Sequence, residues 1–164
     1  MVLEVPYHRQ DKTYTCGPAS LKMVLEFFGK ILKEKTLARH LGTTKEGTRH
    51  TELINFARRK GFYCYVHEGA SLHQLKHFID MGLPAIVNYT EPSEDEGHYS
   101  VVVGHRKGGI IMHDPWNGEK FVIKEKDFQQ RWHDHHRTFN CRGWILVLSK
   151  KRFSIGREFN PIKR

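Results

Sequence analysis

Long hydrophobic runs are missing from this chain. The longest, such as Val101-Val102-Val103 and Ile145-Leu146-Val147-Leu148, have strand length. They fall far short of the ~20 apolar residues that a helix needs to cross a bilayer, so no membrane span is expected. Cysteine is equally scarce. Cys16, Cys64 and Cys141 cannot all pair within one chain, and their wide spacing contains no Cys-x-x-Cys unit. That excludes a disulfide framework and the usual zinc or redox signatures, and it leaves at least one thiol free. Internal repeats and low-complexity tracts are absent too. The opening residues MVLEVPYHRQ have no apolar signal core, so the expected compartment is the cytoplasm.

Negative charge is in short supply: 18 Asp and Glu stand against 27 Lys and Arg, a formal charge of +9. Much of that excess sits at one end. Lys150, Lys151, Arg152, Arg157, Lys163 and Arg164 face the single acid Glu158 within residues 149–164. Such a tail can hold a polyanion, but blocks of like charge are usually solvated, and no nucleic-acid-binding motif accompanies this one. Nucleic acid is therefore not the expected partner.

What remains is ordinary globular material. The 164 residues are 38% hydrophobic and 12% aromatic, which fits one domain with a real core. Leu21, Val24, Leu25 and Phe28 recur at helical spacing after Pro18 and before Gly29, predicting a helix over 17–28. Further helices are predicted at 34–40, 49–60, from the capping box Ser71-Leu72-His73-Gln74 onward, and at 125–132. Strands are predicted at 62–67, 84–89, 98–105, 109–113, 119–123 and 143–148. The tight turns Lys107-Gly108-Gly109 and Asp114-Pro115-Trp116-Asn117-Gly118 make neighbouring strands antiparallel. Helices cluster early and strands late, which is an α+β order.

Cys16 stands directly before Gly17-Pro18, at the start of the first helix, where unpaired N–H groups and the helix dipole stabilise a thiolate. Most cysteines are inert, and Cys64 reads as a core residue of its strand. Gln10 carries an amide able to help bind an oxyanion together with the Cys16 N–H. His98 begins the strongest predicted strand, after the acidic segment Glu91–Gly97, and is a candidate base. Asp114 closes the next strand and is a candidate orienting acid. With 12 histidines in the chain, spacing alone leaves the His98–Asp114 pairing open. Trp116, in the following turn, is a candidate cover for that pair. Local spacing in His133, Asp134, His135 and His136, even with Cys141, is wrong for a standard zinc site, so neither a metal nor a cofactor is expected.

The segments TCGPASLKMVLEFFGK, LGTTKEGTRHTELINFARRKGF, GLPAIVNY, GHYSVVVGH and HDPWNGEKFVI follow one another in the order of a known family's motifs. The chain resembles the double-glycine leader peptidases, papain-like cysteine peptidase domains usually fused to a peptide-exporting ABC transporter. That resemblance implies a papain-like fold, with N-terminal helices packed on a C-terminal antiparallel sheet. It implies a peptidase domain over residues 1–148 and a basic tail over 149–164. It assigns Cys16 as nucleophile, Gln10 to the oxyanion hole, His98 as base and Asp114 as orienting acid. The implied partner is a peptide substrate, with a separate exporter as a further candidate, because no transporter span follows these motifs. The segment EPSEDEG before His98 is longer and more acidic than the family's usual approach and is expected to narrow the cleft. A non-catalytic peptide-binding module, or an amidase or acyltransferase acting on a small amide, are the alternatives.

Overall fold

The computed structural model describes residues 1–133, 142–154 and 158–162. Helices α1 (Cys16–Phe27), α2 (Glu34–His40) and α3 (His50–Arg59) come first. Strand β1 (Tyr63–His67) and helix α4 (Leu72–Asp80) follow, then β2 (Ala85–Thr90), β3 (Gly97–Arg106), β4 (Gly109–Asp114) and β5 (Gly118–Lys124). Helix α5 (Glu125–Arg131), β6 (Ile145–Ser149) and the short β7 (Glu158–Phe159) complete the order. The predicted helices and strands appear within a residue or two at most ends. Ser71 caps α4 as expected, accepting from the Gln74 N–H while the Gln74 side chain accepts from the Ser71 N–H. Strand β7 had no counterpart in the sequence reading. Two residues are too short for alternation to register, and only their antiparallel pairing with β1 makes them a strand.

The sheet has seven strands in the order β5-β4-β3-β2-β6-β1-β7, and every pairing is antiparallel. Side chains that alternate along a strand divide between two cores. Leu146 and Leu148 pack with Leu21, Leu25, Leu37, Leu53 and Phe56 from α1, α2 and α3. Ile145 and Val147, from the same strand, pack with Leu75, Phe78 and Ile79 of α4 and with Phe128 of α5. The sheet is therefore covered on both faces, which explains why β2 and β6 read as unbroken apolar runs rather than as alternation. The fold is α+β and papain-like, with α4 and α5 forming a second helical layer behind the sheet.

The N-terminal segment is laid against the sheet by a close backbone approach. Leu3 N–H donates to the Val103 carbonyl at 2.7 Å. A Cβ on Gly104 would lie 2.7 Å from the Met1 carbonyl oxygen, so only glycine permits that contact. The ladder to β4 slips at the same place, between Val102 and Gly104. From there the chain runs along the sheet to bring Gln10 beside the β4–β5 turn, where the Gln10 N–H donates to the Pro115 carbonyl at 3.0 Å.

Candidate active site

Cys16 is the first residue of α1, and the Thr15 before it supplies no side-chain cap to the helix. The first N–H groups of any α-helix lack intrahelical acceptors, so this end presents donors and positive potential to the thiol. A second requirement sits next to it. A Cβ on Gly17 would lie 2.9 Å from the Thr48 side chain and 3.3 Å from the Tyr99 ring. The absence of that carbon lets the helix start approach both the 43–48 loop and β3. Tyr99 follows His98 in β3, so this packing sets Cys16 against the strand that carries the imidazole.

His98 is buried, and its Nε2 lies 2.9 Å from Asp114 Oδ1. With Nε2 turned to the carboxylate, Nδ1 is the ring nitrogen left for Cys16, and the two side chains act on one another's charge. Burial alone would raise the Cys16 thiol. The charge of His98, its hydrogen bond and the Tyr99 N–H outweigh burial and hold the thiol below its ordinary value. Burial likewise opposes a charged His98, but the Cys16 charge and the Asp114 hydrogen bond raise it to about 10. These opposite shifts share one cause, since each group favours the charged form of the other.

Asp114 is fully buried and richly supplied with donors. Its Oδ1 accepts from His98, from Trp116 N–H at 2.9 Å and from Asn117 N–H at 2.8 Å, while its Oδ2 accepts from the Tyr89 hydroxyl at 2.5 Å. Burial pushes this carboxyl upward, but the hydrogen bond and charge of His98, followed by Asn117 and Tyr89, bring it down to about 2. The Tyr7 hydroxyl donates to the Asp114 carbonyl at 2.8 Å and ties the turn to the N-terminal segment. Gln10 is buried nearby. Its Nε2 donates to the Lys12 carbonyl at 2.8 Å, leaving one amide hydrogen uncommitted by that bond, and its Oε1 has no hydrogen-bond partner among the described residues.

Cys16, His98 and Asp114 are thus brought together, with Gln10 on the N-terminal segment that borders the same turn. Trp116 belongs to the same turn. Its backbone N–H holds Asp114, and its ring lies beneath the Arg9 guanidinium at 5.8 Å. The acidic segment before His98 turns only its first carboxylate inward, and Glu94, Asp95 and Glu96 stay exposed. Glu91 is buried and accepts from Ser93 N–H and Oγ, from Glu94 N–H and from Asn117 Nδ2, while Asp95 pairs with Arg131 at 2.8 Å. Desolvation opposes the Glu91 charge, and the Ser93, Glu94 and Asn117 donors reverse it, keeping the carboxyl below its ordinary range.

Tyr89, Glu91 and Asn117 were not foreseen as parts of the site. The available signal was register: Tyr89 directly faces His98 across the β2–β3 ladder, but that pairing exists only once the strands are aligned. His113, a histidine one position from the site acid, is a satisfied core residue. Its Nε2–H donates to the Val5 carbonyl at 2.8 Å, its Nδ1 accepts the Lys120 N–H at 3.1 Å, and burial lowers its pKa. Asp134, His135, His136 and Cys141 lie outside the described residues. Among the described residues, no group of three or more His, Cys, Asp or Glu side chains is placed to hold a metal ion, and no helix is long and apolar enough to cross a membrane.

The profile of the Peptidase C39-like family matches residues 2–138 of this sequence. The chain belongs to that family. Among curated relatives, it is 26% identical over 122 residues to the probable microcin-H47 secretion/processing ATP-binding protein MchF of Escherichia coli. That match takes in 74% of this chain but only 16% of the relative, so the chain spans about a sixth of that protein's length. Solved structures that share its fold include two peptidase domains of transporters. The peptidase domain of Streptococcus ComA, a bifunctional ABC transporter, superposes with a TM-score of 0.73 at 23% identity, covering 90% of this chain and all of that domain. A double-glycine motif protease from an AMS/PCAT transporter, solved with its leader peptide, gives a TM-score of 0.72 at 21% identity over 90% of this chain and 92% of that one. As a C39-like family member the chain has the scaffold of a cysteine peptidase.

Proposed function

We propose that this C39-like chain hydrolyses peptide bonds through a thioester acyl-enzyme, with Cys16 as nucleophile, His98 as acid and base, Asp114 as orienting acid and Gln10 in the oxyanion hole. The observation that carries this reading is the buried His98 ring held 2.9 Å from the buried Asp114 carboxylate, with the Cys16 thiol lowered by the charge of that ring. The Cys16 thiolate attacks the carbonyl carbon, a C–S bond forms, and the carbonyl electron pair moves onto oxygen. The Cys16 N–H and the uncommitted Gln10 amide hydrogen take up that charge. As the C–N bond breaks, His98 gives its proton to the leaving amine. Water then attacks the thioester, His98 removes the water proton, and the thiolate leaves with the acid product free. Asp114 holds the imidazole orientation throughout and steadies its charge.

The substrate class is a peptide cleaved after a double-glycine leader. It is drawn from the double-glycine motif protease solved with its leader peptide and from the secretion and processing role named for MchF. A separate peptide exporter is the corresponding partner. The catalytic unit is residues 1–148, and the basic stretch 149–164 is an appendage to it. A thiolate nucleophile and a second free thiol at Cys64 favour a reducing compartment such as the cytoplasm.

The test has two parts. Low iodoacetamide at mildly acidic pH is expected to add a single adduct, mapped to Cys16 by mass spectrometry, and equal labelling of all cysteines overturns the activated thiolate. Profiling against a peptide library, with Cys16→Ala as the blank, is expected to give cleavage C-terminal to Gly-Gly. Cleavage elsewhere that still requires Cys16 removes the leader specificity and keeps the peptidase. Identical profiles for the two proteins leave the peptide-binding module.

A further inference from the structure

A carboxylate that orients an imidazole has to offer one chosen oxygen in one chosen direction. Asp114 does so while fully buried, and three of its four donors converge on Oδ1: His98 Nε2, Trp116 N–H and Asn117 N–H. Donors gathered on one oxygen leave the tilt of the carboxylate plane about its last bond to be set by the other. Among the described residues, the Tyr89 hydroxyl is the side-chain donor to that other oxygen, Oδ2, at 2.5 Å.

Tyr89 is built to stay there. It is fully buried in β2, directly across the ladder from His98, and its ring lies 6.0 Å from Phe128 and 6.1 Å from His98. The register that places His98 therefore also places the hydroxyl. Burial, with the nearby charges of Asp114 and Glu91, raises the Tyr89 phenol far above its ordinary value, so it remains a neutral donor. Glu91 does not compete for that proton, since its own oxygens accept from Ser93, Glu94 and Asn117. Asn117 joins the two acids, giving its backbone N–H to Asp114 and its side-chain amide to Glu91 at 3.2 Å.

We propose that Tyr89 is a positioning residue of this site: its hydroxyl fixes Asp114 Oδ2, so that Oδ1 faces His98 and the imidazole is held toward Cys16. The inference rests on the peptidase reading above and adds to it a residue that never touches substrate. Tyr89→Phe keeps the ring and removes one buried donor from an ionised acceptor, a loss of the order that hydrogen bonds to charged groups carry.

The experiment compares the unsubstituted protein with Tyr89→Phe in peptide turnover and in iodoacetamide alkylation of Cys16 across pH. Turnover is expected to fall roughly tenfold or more in kcat with KM within about twofold, because the hydroxyl lies behind Asp114. The acid limb of both profiles is expected to move to higher pH, because an imidazolium held less firmly toward Cys16 stabilises its thiolate less. A kcat within about twofold and an unmoved acid limb overturn the proposal, and so does a fall in kcat that leaves the acid limb in place, which marks a merely structural role. Absence of selective Cys16 alkylation in the unsubstituted protein instead overturns the peptidase reading. Should Tyr89→Phe not fold, the Tyr89 hydroxyl proton in the unsubstituted protein decides by NMR. A slowly exchanging resonance that shifts as Asp114 titrates supports the bond, and its absence overturns the proposal.

Discussion

The surroundings of Cys16 and of Cys64 give one side chain two opposite chemistries. Burial acts on both thiols in the same direction. At Cys64, inside β1, it goes almost unopposed, since the Arg58 charge offsets it only weakly, and the thiol is pushed up to about 12. The Cys64 Sγ has only distant carbonyl oxygens for company, Ile54 at 3.9 Å and Phe62 at 4.0 Å, and these favour the protonated form. At Cys16 the same penalty is outweighed by a cation and two donors, and the thiol falls below its ordinary value. Exposure differs as well, Cys16 being half-buried and Cys64 buried. What a thiol meets, together with its access, is what makes it a core atom or a nucleophile.

The sharpest way to break this contrast is to delete each sulfur in turn. Cys16→Ala is expected to lower peptide turnover by at least about 10³-fold, while Cys64→Ala leaves it within about twofold, as measured by progress curves on one cleaved peptide. Removing what Cys16 meets comes next. Asp114→Asn should lower kcat by roughly 10²–10⁴-fold, because an amide cannot stabilise the imidazolium and favours the wrong tautomer. His98→Ala should return Cys16 to the unselective alkylation of an ordinary thiol.

The pH dependence separates the two regions without any substitution. Cys16 alkylation is expected to begin well below the ordinary thiol range near 9, because its pKa is lowered, while Cys64 labels only toward about 12. Turnover should also fall on the alkaline side as His98 loses its proton near about 10, since the leaving amine then lacks its acid. Stability has its own sign. A carboxyl whose folded pKa is depressed contributes above its unfolded value and loses that contribution as pH falls. Asp114 should therefore stabilise the fold above about 4 and cease to do so by about 2. A melting temperature that falls over that window in the parent protein, and falls less in Asp114→Asn, is the expected result.

Two smaller effects sharpen the comparison. Gly17→Ala places a methyl group 2.9 Å from the Thr48 side chain. The resulting displacement of the Cys16 helix start is expected to reduce the alkylation rate by roughly tenfold while leaving Cys64 unaffected, since sub-ångström placement governs such sites. Cys64→Ala is expected to lower stability by about 1–2 kcal/mol in denaturant unfolding, the range for a small deletion in a packed core.

Much of this was legible from residues alone, and the reasons are local. Leu21, Val24 and Leu25 repeat at helical spacing, Ser71 and Gln74 cap one another over three residues, and Lys107-Gly108-Gly109 can only turn. Each signal is complete within a few residues, so the elements could be read without knowing their neighbours. The helix start at Cys16 is local in the same way. The double helical layer was less legible, because the runs of β2 and β6 do not say which face each side chain will take. Glu91 was read as part of an acidic loop expected to narrow the cleft, since nothing in EPSEDEG tells that Asn117 will meet its first carboxylate.

By itself, then, the sequence determined the helices and strands, the antiparallel turns and the thiol poised at a helix start, because those follow from spacing and backbone preference over short distances. Tertiary structure decided which charges share a space. His98 reaches Asp114 only because β3 and β4 align, Tyr89 reaches the other oxygen only because β2 lies against β3, and Cys16 meets that set only because Gly17 lets α1 close on Tyr99. Electrostatic coupling fades with distance and solvent, and these partners stand 9 to 98 positions apart along the chain. Only folding brings them within range.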